Sequence, residues 1–178
     1  MNKRGQVWIE TVLYTLIALV LIGVVLAFIT PKINDARDRA LVEQTATALN
    51  IFDEKVNAVL RAPGNRRELA FTLKRGEMFI DGETNVVKII ISDLKKPYSE
   101  PGAVISEGRV KILTEQLQKS NSVTLTLNYT GIADITYTGG NSVYKFSQAS
   151  TPYVITIENK GSGSVLTEIP VVDINQIS

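Results

Sequence analysis

Apolar and polar positions follow three different rhythms along this chain. From Thr11 to Pro31 no residue is charged, and "VLYTLIALVLIGVVLAFI" supplies most of a helix that is apolar on every side. Those 21 residues would rise about 30 Å as an α-helix, one hydrocarbon thickness. From Ile33 to Ala62 there is neither Gly nor Pro, and Leu41, Thr45, Ala48, Phe52, Val56 and Val59 recur at helical spacing. This predicts that the helix continues as an amphipathic half, with Pro31 as a kink or restart and Pro63-Gly64-Asn65 as the stop. A helix with a single apolar stripe must lay it against a folded domain.

Beyond Pro63 the period falls to two. "LAFTLKRGEMFIDGETNVVKIIIS" reads as two or three strands with Asp81-Gly82 as a hairpin turn. "SVTLTLNYT", "ADITYT", "SVYKFS" and "YVITIEN" each read as half-buried strands, with turns at Gly139-Gly140-Asn141 and Gly161-Ser162-Gly163. "EGRVKILTEQLQKS" fits either a strand or a short helix. The expectation is an α+β fold: a long N-terminal helix and a C-terminal antiparallel β-rich region of about seven or eight strands, as a sandwich or rolled sheet. Its divisions are a membrane-embedded helix over residues 6–30, an amphipathic helix over 31–62 and the β-rich region over 63–178.

Composition narrows the chemistry. A net charge of +1 gives no argument for nucleic acid as a partner. The chain has no cysteine and no histidine, so it lacks disulfides, thiolates, the commonest general base and the commonest metal ligand. Its acids are scattered, without an EF-hand pattern, and its glycines form neither a P-loop nor a dinucleotide fingerprint. No catalytic constellation emerges, and the expectation is a non-enzymatic protein without cofactor or metal. Arg61, Arg66, Arg67, Lys74 and Arg75 either meet an anionic surface or form a solvated face paired with Glu68 and Glu77. Residues 120–178 hold six charged side chains and 16 Ser and Thr, which suits an outer surface. Asn128-Tyr129-Thr130 is a glycosylation sequon if that region is external.

The N-terminus is the most specific feature. Lys3 and Arg4 precede the apolar run, so the positive-inside rule predicts one span with the N-terminus in and the C-terminus out. The run is too long for a secretory signal and is followed by "TPKINDARDRA", not a small-residue cleavage site. Glu10 is the oddity: an acid on the threshold of the membrane. Read alone, it sits in a first helical turn favoured by the dipole, or at headgroup level beside the interfacial aromatic Trp8.

"KRGQVWIE" followed by an uncharged run resembles the class III signal peptide of archaeal type IV pilin-like proteins. The resemblance covers about the first 30 residues; Trp8 stands where the family often has a small hydroxyl residue. It implies a leader, residues 1–5, removed by a prepilin peptidase between Gly5 and Gln6, with Lys3, Arg4, Gly5 and Gln6 as the processing site. Glu10 then becomes the fifth residue of the mature chain. Membrane-held subunits would pass through the pilus assembly machinery into a homo-polymer whose N-terminal helices pack together, possible adhesion lying with the exposed region. Glu10 would pair there with the free α-amine of Gln6 of an adjacent subunit, because a carboxylate buried without a partner is costly. Losing Lys3 and Arg4 takes the side-chain charge from +1 to −1. Cyclisation of Gln6 would remove that amine. The same residues also allow an uncleaved, single-pass anchor carrying an extracytoplasmic binding module.

Overall fold

One α-helix, α1 (Lys3–Val59), passes through Pro31 without a break. The computed structural model describes the backbone of residues 3–164 and 167–177 and the side chains of residues 8–162 and 168–177. The chain divides into two units, residues 1–39 and 40–178. In the first, the apolar side chains from Trp8 to Ile29 lie exposed all round the helix. Two of its hydroxyls are satisfied locally: Thr15 Oγ1 donates to the Thr11 carbonyl at 2.8 Å and Thr30 Oγ1 to the Leu26 carbonyl at 2.7 Å. These bonds leave neither hydroxyl donor unpaired, as a helix in hydrocarbon requires. By length and composition this helix is able to cross a membrane.

In the second unit α1 contributes Val42, Ala46, Leu49, Phe52, Val56 and Val59 to the core. The expected stripe is therefore right at its C-terminal half and one residue out at its start, where Leu41, Thr45 and Ala48 flank the buried line. One residue is 100° of helix, and Ala46 in place of Thr45 spares a hydroxyl from burial. The helix ends at Val59 rather than at residue 62. Asn159 Nδ2 donates to the Val59 carbonyl at 3.0 Å, and Gly64 N–H to the Asn159 carbonyl at 2.7 Å, so a distant strand caps the last turn. Ala62 also precedes Pro63, which disfavours helix there.

Ten strands follow among the described residues: β1 (Arg66–Phe71), β2 (Glu77–Asp81), β3 (Val86–Leu94), β4 (Val104–Glu107), β5 (Val110–Gln116), β6 (Asn121–Asn128), β7 (Asp134–Tyr137), β8 (Tyr144–Phe146), β9 (Tyr153–Ser164) and β10 (Thr167–Ile177). The fold is α+β, with two sheets rather than one rolled sheet. A six-stranded antiparallel sheet has the order β4-β5-β6-β3-β2-β8, and a four-stranded sheet the order β1-β9-β10-β7. The second departs from the all-antiparallel expectation, because β7 runs parallel to β10. Alternation on the larger sheet is regular: Val87, Ile89 and Ile91 on β3 and Val123, Leu125 and Leu127 on β6 are buried. The two sheets are joined at their edges by aromatic rings. Tyr137 of β7 stacks on Tyr144 of β8 with centroids 3.7 Å apart, and Phe146 meets Phe71 and Tyr153 edge-on.

Three turns differ from expectation. The β2–β3 loop is Gly82–Asn85, four residues with Asn85 at φ 56°, not a two-residue Asp81-Gly82 turn. Asp81 Oδ1 instead accepts from the backbone N–H groups of Glu83 and Thr84. Gly82 is needed for closeness: a Cβ there would lie 2.7 Å from the backbone of Asn141 and Ile135. The turn after β7 has Thr138 and Gly139 at its centre, both with positive φ, closed by paired bonds between Tyr137 and Gly140. The third expected turn, at Gly161-Ser162-Gly163, lies within β9, with Gly161 at φ 86° beside the irregular register around Pro170.

Candidate functional site

Lys3, Arg4, Gly5 and Gln6 lie on the first two turns of α1; their side chains are outside the described residues. Glu10 is exposed, on the same helix as Trp8, Ile9 and Leu13. Because α1 begins at Lys3, no acid occupies its first turn. Glu10 therefore stands about 10 Å along the helix from its start, beyond the reach of the terminal N–H groups. The dipole account of Glu10 thus does not hold for α1 as described, from Lys3. It would apply only to a helix beginning at Gln6.

A polar constellation lies elsewhere, inside the second unit. Asp53, on the buried face of α1, accepts from Arg109 Nη1 and Tyr129 Oη, each at 3.0 Å to Oδ1, and from Asn57 Nδ2 at 2.9 Å to Oδ2. Arg109 spends Nη2 on the Asn128 carbonyl at 3.0 Å and lays its guanidinium over the Tyr129 ring at 5.2 Å. Tyr129 is fully buried. Burial, then the Asp53 charge and the hydrogen bond to it, push the phenol well above its ordinary pKa, against the opposing Arg109. With these partners present, the cluster is a structural latch between helix and sheet, its Arg109 and Asn57 sides exposed. Sequence reading missed it because Arg109 and Tyr129 are far from Asp53 and Asn57 in the chain and each residue is ordinary alone.

The Tyr129 shift has a consequence at alkaline pH. An unfolded tyrosine ionises near pH 10, and the folded value is higher. The contribution is therefore complete below that pH and declines as pH rises beyond it. Denaturant midpoints should fall between about pH 9 and about pH 11 in the wild type, and less in Tyr129→Phe.

The basic cluster is dispersed in part by other partners. Arg75 Nη2 donates to the carbonyls of Ser92 and Asp93, Arg67 Nη1 donates to the Arg66 carbonyl, and Glu77 pairs with Lys145 at 2.9 Å. Asn128 ends β6 and is exposed, two positions before Thr130. Among the described residues there is no group of three or more His, Cys, Asp or Glu arranged to hold a metal ion.

The chain matches no family model, no curated protein and no solved structure. The geometry itself defines a class: an α+β protein with an apolar N-terminal helix able to span a membrane and a β-rich C-terminal unit.

Proposed function

We propose that this chain is the precursor of a structural subunit in a type IV pilus-like surface filament, of the archaeal kind. A prepilin peptidase removes Met1–Gly5, and the new N-terminus at Gln6 begins a helix that is held in the membrane and then packed against copies of itself. The observation that carries this reading is the apolar surface from Trp8 to Ile29, open on every side of the helix and entered through "KRGQVWIE". A simple anchor also accounts for the apolar surface; what favours the filament reading over it is the Lys-Arg-Gly-Gln stretch with an acid as the fifth residue after Gly5. In a polymer, Glu10 faces the Gln6 amine of a neighbour, and the β-rich unit faces solvent. Orientation follows from Lys3 and Arg4, N-terminus in and C-terminus out before assembly. The chemistry is assembly rather than catalysis.

Shearing intact cells of the source organism separates this reading from an uncleaved anchored module. A filament subunit is released by shear and sediments as a polymer containing this chain. Recovery only as detergent-soluble protein in the membrane fraction would favour the anchor.

A further inference from the structure

Asn128 begins the single Asn-X-Thr/Ser sequon of the chain, and the fold treats its three residues very differently. Asn128 is exposed at the end of β6, Tyr129 is fully buried in the Asp53 latch, and Thr130 is exposed again. Asn128 Oδ1 accepts the Thr130 N–H at 2.8 Å, and among the described residues its Nδ2 makes no hydrogen bond. Thr130 Oγ1 is occupied, donating to the Thr84 carbonyl at 3.0 Å, and the Asn128 carbonyl is held by Arg109. A glycan on Nδ2 would thus project into solvent without breaking a bond of the fold. The folded sequon, however, is pinned at its centre, and its Thr hydroxyl is already engaged.

We propose that Asn128 is an N-glycan acceptor, modified as the chain leaves the membrane and before residues 40–178 have folded. Nδ2 attacks the anomeric carbon of a glycan carried on a lipid phosphate or diphosphate. The C–N bond forms, the anomeric C–O bond breaks, the lipid phosphate leaves with its electron pair, and one amide proton passes to a base. Burial of Tyr129 and engagement of Thr130 then close the sequon. This rests on the outward orientation of the C-terminal unit, but not on cleavage or polymerisation.

Peptide mass spectrometry of the full chain from its native cells reads both matters in one sample. A sugar mass on the peptide containing Asn128 is expected, lost in Asn128→Gln and in Thr130→Ala and kept in Thr130→Ser. A bare Asn128 throughout the wild-type protein would overturn the proposal. If that occurred with Gln6 as first residue, the filament reading would stand without it; a glycan on a chain starting at Met1 or Asn2 would do the reverse. Timing is tested with native membranes supplying transferase and donor. A peptide of residues 124–133 should be glycosylated at least about tenfold faster than the folded, unmodified full chain, a difference of about 1.4 kcal/mol in barrier. Equal rates would overturn modification before folding.

Discussion

Asp53→Ala should lower the stability of the C-terminal unit by about 2–4 kcal/mol, the largest single-residue loss we expect outside the apolar core. The variant leaves the Arg109 guanidinium, the Tyr129 hydroxyl and the Asn57 amide without their shared acceptor. A fully buried broken pair costs more, but the Arg109 side chain is 37% exposed and recovers part of its hydration. For a unit of this size a loss of that order moves the melting temperature down by about 5–15 °C. Asp53→Asn retains an acceptor oxygen and should fall between. Thermal unfolding of the three proteins checks the order, and an unchanged melting temperature in Asp53→Ala would show that the latch carries no net stability.

The second large effect concerns Glu10. Glu10→Ala should leave processing largely intact but reduce filament yield at least about tenfold, equivalent to about 1.4 kcal/mol per subunit contact. The reason is the loss of a charge partner at Glu10, the one charged residue between Trp8 and Ile29 on an otherwise largely apolar surface. Shear yield, normalised to processed subunit in the membrane, is the measurement. Normal filaments from the variant would remove Glu10 from the assembly account while leaving cleavage untouched. If Gln6 is cyclised in wild-type filaments, the amine is absent and the pairing partner assigned to Glu10 is wrong.

What was legible in the sequence depended on how local its cause was. The uncharged run and the alternation of "SVTLTLN" are local and stand where expected, and the helix stop falls three residues before the expected end at residue 62. "EGRVKILTEQLQKS", open between strand and helix, resolves to strand β5 because Val110, Ile112 and Thr114 alternate inward against β6. Two strands were invisible. β4 is four exposed residues without alternation, and β10 contains Pro170, which argues against a central strand. In the fold Pro170 falls at the irregular register between β9 and β10, so the strand pairs on both sides despite it. Pairing between strands distant in sequence also hid the helix cap at Asn159 and the Asp53 latch. The candidate processing residues were legible for the opposite reason: charge, a small residue and an acid at fixed offsets need no tertiary structure to be seen.

Cleavage is the step on which the functional account depends, and the mass of the N-terminal peptide reads it directly. Protein extracted from membranes of cells with active prepilin peptidase should begin at Gln6, with a free or cyclised amine. A chain beginning at Met1 or Asn2 in those cells would contradict the account and leave an anchored surface module in its place.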